Sequence, residues 1–119
     1  MDVINLDEKL SLFSDHWHPR IIAELNGQAI KIAKLKGDFI WHDHENEDEL
    51  FFVIKGTLFI EFKTETKTIQ EGEMLVVPKG VQHRPYAPDE VWVMLFEPQE
   101  TKHTGDVDHE LTKHNLESI

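Results

Sequence analysis

The feature that most restricts the fold is a series of short β-forming runs that follow one another with no helical period between them. In order, the runs are DFIWH, LFFVI, TLFIEFK, KTIQ, EMLVVP and VWVMLF. Turn-forming residues stand in the breaks between runs: Gly37, Gly56, Gly72, Pro78, Gly80 and Pro88. Short strands that are not separated by helices form antiparallel sheets, packed face to face or closed into a barrel. The sequence therefore predicts an all-β fold.

A hairpin precedes these runs. The pair Asn26-Gly27 lies between two β-rich stretches. This pair fits a type I′ turn, in which both central residues have positive φ. We therefore expect two antiparallel strands that meet at this turn.

A short helix is expected near the N-terminus. Leu6, Leu10 and Phe13 recur at helical spacing. Asn5 is a suitable N-cap, and Glu8, three residues later, completes the pattern of a capping box.

Length, charge and composition limit the domain count and the partners. With 119 residues, the chain is expected to form a single domain, 1–119, with a barrel core over about 21–98 and a polar C-terminal tail over 101–119. Its 12 basic and 23 acidic residues give a net charge of −11, which disfavours nucleic acid and anionic membrane surfaces as partners. The N-terminus lacks the pattern of a secretory signal and no run is apolar enough to span a bilayer, so we expect a cytoplasmic protein. The absence of cysteine excludes disulfides and thiolate ligands.

The stretch WHDHENEDELFFVIKG places two histidines one residue apart. Because successive side chains of a strand point to opposite faces, His42 and His44 are expected on the same face. Glu49 can join that face only if the chain turns within the polar residues 45–48. Further along, EGEMLVVPKGVQHRPYA supplies His83 at the start of another strand. Histidines at strand edges are most often only hydrogen-bonded, so the pair alone does not establish a ligand site.

At these positions the sequence resembles the cupin family. The first cupin motif is matched by Gly37, His42-x-His44, Glu49 and Gly56, and the second by Gly72, Pro78-x-Gly80 and His83. The strand pattern extends the likeness from about Ile21 to Phe96. The resemblance implies a double-stranded β-helix, the cupin jelly-roll barrel. It also implies that one divalent metal ion is bound inside the barrel mouth by four side chains: His42, His44, Glu49 and His83.

Two positions depart from the usual motifs. The gap from Gly37 to His42 is one residue shorter than usual, which we expect to alter only the turn. Ala87 stands where the second motif often ends in Asn. Since residues 83, 85 and 87 share a face, this change removes a polar group from the pocket side. Neither departure affects the four expected ligands.

The implied ligand set has a definite chemistry. Three neutral imidazoles and one carboxylate around a divalent ion carry a net charge near +1 and leave about two positions of an octahedral shell open to water or substrate. Zn, Ni, Fe, Mn and Co all accept such ligands, so the sequence does not distinguish among them. The alternative is a set of remnant ligands with no metal bound.

Side-chain alternation also predicts the lining of a substrate pocket: Ile40, Phe51, Pro85 and Ala87. An apolar lining of this kind favours a small, partly apolar or carbonyl-bearing ligand. Arg84 and Tyr86 have the opposite parity and are expected at the surface or at an interface. Arg20 is assigned no role.

The remaining histidines are expected to be surface groups. His16 and His18 form a second His-x-His pair, and three others lie in the polar tail: His103, His109 and His114. No carboxylate and no third strand histidine accompany them at a useful spacing.

The outward face of the sheet is expected to be covered by a second subunit. Leu50, Phe52 and Ile54 alternate with the inward residues, and the run VWVMLF is apolar on both faces. The N-terminal helix can cover part of this surface. The resemblance to small cupins implies dimers, so we expect a homodimer.

Three classes of function remain open. The first is a metal-dependent enzyme acting on a small organic substrate, either isomerase-like or, with iron, dioxygenase-like. The second is a metal-containing module that binds or senses a small ligand without turning it over. The third is a structural cupin without metal. The sequence carries no residue that selects a substrate.

Overall fold

The computed structural model describes residues 1–98 and 116–119. One short helix, α1, spans Leu6–Leu10. Seven strands follow it: β1 (Arg20–Leu25), β2 (Gln28–Asp38), β3 (Glu49–Lys55), β4 (Thr57–Phe62), β5 (Thr66–Gln70), β6 (Met74–Val77) and β7 (His83–Pro98). The predicted all-β fold with a short N-terminal helix is confirmed. Within these described ranges, no helix has the length and apolar character needed to cross a membrane.

The long strand β7 organises the barrel. Its first part, His83 to Tyr86, pairs with β4, and β4 pairs in turn with β5. Its later part, Trp92 to Phe96, lies between β2 and β3. The order across the main sheet is β1-β2-β7-β3-β6, and the pairings between these strands are antiparallel. Strand β7 therefore links the β4–β5 hairpin to the other strands of the seven-stranded sheet, as in the expected jelly-roll barrel.

The predicted hairpin and helix cap are both present. Asn26 has φ of 51° and Gly27 has φ of 78°, and the turn joins β1 to β2. Glu8 N–H donates to Asn5 Oδ1 at 3.0 Å, as expected for an N-cap. Helix α1 ends at Leu10, so Phe13 lies beyond it.

The prediction that DFIWH forms a strand is wrong. Asp38 ends β2, and residues 39–41 lie outside the strands. Gly37 is part of β2, with φ of 84°, at a shift in the register with β7. Pro88, also expected in a break, lies within β7. The irregularity at Gly37 redirects the chain, which then reaches the barrel mouth as a loop.

The interior is built from the inward rows of β2, β3 and β7. Residues in these rows alternate with partly exposed ones, which is the pattern of a sheet with one face in the core. The core cluster comprises Trp17, Ala33, Leu35, Phe39, Phe51, Val53, Leu58, Ile60, Ile69, Val77, Ala87, Val91, Val93 and Leu95. The same inward rows carry two of the candidate ligands, Glu49 on β3 and His83 on β7.

The segment before β1 covers part of the outer face of the sheet. Leu10 is buried, and Lys34 Nζ on β2 donates to the carbonyl of Phe13 at 2.6 Å. The ammonium group of Lys34 also lies over the Phe13 ring, 5.0 Å from its centroid. Part of the apolar outer face is therefore covered from within the chain.

The described C-terminal residues pair with strand β1. Ile21 and Ser118 form a parallel bridge, in which Ile21 N–H donates to Glu117 O and Ile119 N–H donates to Ile21 O, both at 3.0 Å. Arg20 reinforces the contact through an ion pair with Glu117 at 3.1 Å. Residues 99–115, which include most of the expected tail, lie outside the described residues.

Candidate metal centre

Four buried side chains from separate segments converge at one end of the barrel. Their potential ligand atoms all lie within 4.8 Å of one another. Two of the side chains come from the loop after β2, one begins β3 and one begins β7. We call these residues the His3Glu cluster: His42, His44, Glu49 and His83. These are the four residues that the sequence assigned as ligands, and the fold brings all four together.

Backbone hydrogen bonds join the loop to the start of β7. His42 and His83 form an isolated antiparallel bridge. On the same loop, the carbonyl of His44 accepts a hydrogen bond from Gly80 N–H at 2.8 Å. The loop that carries two of the cluster histidines is therefore fixed to the chain segment that precedes and includes the third.

Two of the rings have a defined tautomer. His42 Nδ1 lies 2.9 Å from Ile40 O, and His83 Nδ1 lies 2.9 Å from Val81 O. Because a carbonyl oxygen only accepts, each Nδ1 must carry the hydrogen, which leaves a lone pair on Nε2. This is the arrangement found when histidine binds a metal through Nε2.

The Nε2 atoms of His42 and His83 are buried and make no hydrogen bond to any residue that the structure describes. Glu49 Oε1 lies 3.3 Å from His44 Nε2 and 3.6 Å from His83 Nε2. Lone pairs on nitrogen and oxygen gathered away from water are costly unless a cation is shared among them. Three imidazole nitrogens and one carboxylate oxygen suit a divalent transition metal, so the donor set fits such an ion.

The pKa shifts favour the same state. Burial, with a further contribution from the charge of His83, lowers the pKa of His42 to about 4, so this ring is neutral at neutral pH. Burial alone would raise the pKa of Glu49. However, the neighbouring His44 and His83, together with Glu97, hold it well below its ordinary value. A neutral imidazole beside an ionised carboxylate is the form that binds a metal without first losing a proton.

A small cavity of about 20 Å³ adjoins the cluster and touches His42 and Glu49. Its other lining residues are Trp17, Pro19, Ala33, Leu35, Phe39, Phe51, Pro85 and Leu95. Two residues of the predicted lining, Phe51 and Pro85, are among them. The other two differ from the prediction: Ala87 is buried in the core and Ile40 packs against it, and neither lines this cavity.

Sequence reasoning missed Trp17. Its ring stacks on Phe39 with centroids 4.4 Å apart, and its Nε1 donates to Lys36 O at 2.9 Å. Phe39 in turn meets the His42 ring edge-on at 5.5 Å. Trp17 lies outside the alternating runs and has φ of 58°, so periodicity gave no information about its direction.

A buried ion pair lies beside the cluster and was also missed. Lys31 Nζ on β2 is 2.9 Å from Glu97 Oε1 on β7, and both side chains are fully buried. Burial and the adjacent Glu49 carboxylate raise the pKa of Glu97 well above its ordinary value, although Lys31 opposes the shift. The signal was present in the sequence, because Lys31 and Glu97 occupy inward positions of their strands.

The polar residues expected outside the barrel are found there. Arg84 pairs with Glu61 at 2.9 Å and with Asp38 at 3.2 Å. Tyr86 stacks on Phe59 with centroids 5.2 Å apart. Arg20, which had no assigned role, forms ion pairs with Asp15 and Glu117.

The second His-x-His pair lies at the surface. His16 Nε2 is 2.7 Å from Glu90, and His18 Nδ1 is 3.0 Å from Asp15. Within residues 1–98 and 116–119, the His3Glu cluster is the group of such side chains that could hold a metal ion. The predictions for His103, His109 and His114 lie outside the described residues.

Comparisons with known proteins agree with this geometry. The cupin-domain family Cupin_2 matches residues 31–98, a range that includes the whole cluster. A solved cupin-2 domain containing protein from Shewanella frigidimarina is 49% identical, with a TM-score of 0.81, over 82% of this chain and 95% of that one. Protein NMB1881 from Neisseria meningitidis is 36% identical, with a TM-score of 0.75, over 82% of this chain and 100% of that one.

Curated relatives match over shorter stretches. The uncharacterized protein YdbB of Bacillus subtilis is 41% identical over 53% of this chain and 57% of its own length. Germin-like protein 12-2 of Oryza sativa is 31% identical over 56% of this chain. The matched part is only 35% of the germin-like protein, so both curated relatives extend well beyond the matched region.

Proposed function

The chain belongs to the cupin family, and on that premise we propose that it binds one divalent metal ion through the His3Glu cluster. The observation that carries the proposal is the gathering of four buried ligand atoms within 4.8 Å. A bound divalent ion would supply Lewis-acid chemistry to a substrate oxygen and, if it is iron, redox chemistry as well. The protein contributes three imidazole side chains, a carboxylate and an apolar cavity beside them.

We propose further that the protein is a metal-dependent enzyme for a small organic substrate, closer to a dioxygenase than to a sugar isomerase. The cavity beside the cluster is small, about 20 Å³, which favours a small substrate group over a whole sugar ring. Apart from His42 and Glu49, the residues that line it are apolar. A sugar requires several hydrogen-bonding partners, whereas this lining suits an apolar or carbonyl-bearing fragment.

The second candidate is a metal-containing module that binds a small ligand without reaction. It is favoured by one observation: the described cavity contains no polar side chain beyond the two cluster residues that could act as a general acid or base. A third candidate, a structural cupin in which the cluster holds no metal, is tested by the same first experiment.

Metal analysis of untagged protein, purified without a metal column, tests the proposal. We expect close to one transition-metal ion per chain, whereas almost none, together with no uptake of added metal, would support the structural cupin. Oxygen uptake by the iron-loaded protein with small ketones, phenols and thiols then separates enzyme from binder. Turnover with one class supports the enzyme, and tight binding without turnover supports the module.

The outer face of the barrel supports a proposed homodimer. Leu50, Phe52 and Ile54 of β3 are only partly buried, and Met74 and Val76 of β6 are 61% and 50% exposed. Strand β6 lies next to β3 in the sheet, so these side chains form one continuous apolar surface. A second copy of the chain is the occupant we propose for it.

A further inference from the structure

We propose that Trp17 is a specificity-determining residue, whose ring narrows the cavity beside the metal centre and limits ligands there to groups smaller than an aromatic ring. The inference rests on the proposed metal-binding function and deepens it by restricting the class of substrate. A small carbonyl or carboxylate group fits this limit, whereas an aromatic substrate does not.

The ring of Trp17 forms part of the cavity wall. Trp17 and Phe39 both line the cavity, which also touches His42 and Glu49 of the His3Glu cluster. The two aromatic rings are stacked, with centroids 4.4 Å apart and planes 13° apart, so together they present one continuous apolar surface. Trp17 is almost fully buried. Its ring therefore fills space at the barrel mouth that would otherwise belong to the cavity.

Strand β2 fixes the Trp17 ring in this position. The backbone N–H of Trp17 donates to Lys34 O at 3.0 Å, and its indole Nε1 donates to Lys36 O at 2.9 Å. A tryptophan has no other N–H group and no side-chain acceptor, so the ring offers only apolar surface to the cavity. This part of the wall therefore selects a ligand by its size and not by hydrogen bonding.

The backbone of Trp17 has a conformation that bulky residues rarely adopt. Its φ is 58°, in the left-handed region where an aromatic residue is an outlier. Such a conformation persists only where the surroundings hold it, and residues of this kind cluster at functional sites. Here the two hydrogen bonds to β2 and the stack on Phe39 hold it. The strained backbone therefore accompanies the placement of a large ring against the cavity.

The size of residue 17 sets the room beside the cluster. The cavity measures only about 20 Å³, so a ligand ring would need space that the indole ring now fills. A smaller side chain at this position leaves a larger cavity, because the surroundings of a truncated core residue relax only partly. We therefore expect variants of Trp17 to admit larger ligands without a change in the four proposed metal ligands.

Two carboxylates of different size test this limit on the Co(II)-loaded protein. Formate and benzoate offer the metal the same two oxygens, and only benzoate carries a ring. Titrations followed in the Co(II) absorption spectrum should show that the wild type binds benzoate at least about tenfold more weakly than formate. Trp17→Leu should tighten benzoate binding by at least about tenfold and leave formate binding within about threefold. Trp17→Phe, a milder change, should give an intermediate affinity for benzoate.

The metal content and unfolding midpoint of each variant show whether it is folded and loaded. Trp92→Leu is the matched control, because Trp92 lies on β7 against the ammonium groups of Lys34 and Lys55 and does not line the cavity. It should bind both anions as the wild type does. Trp17→Phe keeps the test decisive if Trp17→Leu does not fold.

Two results would overturn the inference while leaving the metal site in place. One is an affinity for benzoate in the folded Trp17 variants equal to that of the wild type. The other is a wild type that already binds benzoate as tightly as formate. Failure of the wild-type protein to bind Co(II) would instead overturn the proposed function, and the inference with it.

Discussion

His42 and His83 are joined at the backbone by two hydrogen bonds, from His42 N–H to His83 O at 3.0 Å and from His83 N–H to His42 O at 2.9 Å. Each ring is then held by a carbonyl two residues earlier in the chain. The backbone therefore fixes both imidazoles independently of any ion. Such preorganisation lowers the conformational cost of binding, because the ligands need not be ordered by the metal.

Removing one of these rings should abolish metal binding. We expect His83→Ala and His44→Ala to lose the bound ion and the thermal stabilisation by added metal. For the wild type at about 100 times the dissociation constant, this stabilisation is worth about 2.7 kcal/mol. The measurements are metal content and the unfolding midpoint with and without metal. His18→Ala, at the surface, is the matched control, and metal content in His44→Ala equal to that of the wild type would refute the ligand assignment.

The stability of the metal-free protein should depend on pH through His42. Its pKa is lowered from 6.5 to about 4, so the unfolded chain takes up the proton first as the pH falls. The contribution of His42 to the free energy of unfolding is therefore fully present above about pH 6.5 and is lost as the pH falls towards 4. This loss is about 3 kcal/mol in all, of which about 2 kcal/mol is lost by pH 5. Urea unfolding at pH 7 and pH 5 should show a smaller pH-dependent loss in His42→Gln. Equal losses in the two proteins would contradict the assignment.

Gly56 should tolerate a side chain less well than Gly72. Both have positive φ, 91° and 82°, so Ala at either position costs about 1–2 kcal/mol in backbone strain. At Gly56 an added Cβ would also lie 2.9 Å from Glu90 O, whereas at Gly72 it would meet nothing within 4 Å. We expect Gly56→Ala to lower the free energy of unfolding by about 2–4 kcal/mol and Gly72→Ala by about half as much. Equal losses of unfolding free energy in the two variants, measured by urea titration, would show that the backbone around Glu90 shifts to accommodate the added Cβ.

The fluorescence of Trp17 should report metal binding. Trp17 stacks on Phe39, which contacts His42, whereas Trp92 lies against the ammonium groups of Lys34 and Lys55. Addition of Co(II) should therefore quench a variant that retains only Trp17 more strongly than one that retains only Trp92. Both variants use Phe at the remaining tryptophan positions. Similar quenching in the two variants would indicate that the ion does not bind near Trp17.

A charge on the outer face should separate the proposed dimer. Val76 is 50% exposed on β6, beside the apolar residues of β3. Light scattering with size exclusion should show a dimer for the wild type and a monomer for Val76→Glu, because an interface core excludes unpaired charge. Leu12→Glu places the same charge at a residue that is 65% exposed outside this surface, and should remain dimeric. A monomeric wild type would remove the proposal.

Much of the barrel follows from the sequence because its signals are local. The Asn26-Gly27 pair requires positive φ at both residues and therefore fixes the first hairpin. Alternation fixes the inward row of β3, and Phe51 and Val53 are buried as expected. The cupin motifs supplied the identities of the four cluster residues in advance.

The route of the chain between β2 and β3 could not be read in the same way. Strand parity was applied to His42 and His44, although both lie in a loop where alternation does not hold. Their positions depend on hydrogen bonds to distant segments, including the one from Gly80 N–H to the His44 carbonyl. The buried ion pair of Lys31 and Glu97 depends on the pairing of β2 with β7, which no single stretch of sequence specifies.

The pairing of Glu117, Ser118 and Ile119 with β1 has a consequence for solubility. An unpaired strand edge offers free N–H and C=O groups on which the strand of another molecule can add, and growth from such edges leads to aggregation. Here the N–H and C=O groups of Ile21 are already hydrogen-bonded to Glu117 and Ile119. Deleting 117–119 would expose this template, and we expect turbidity on heating to rise even where the barrel remains folded.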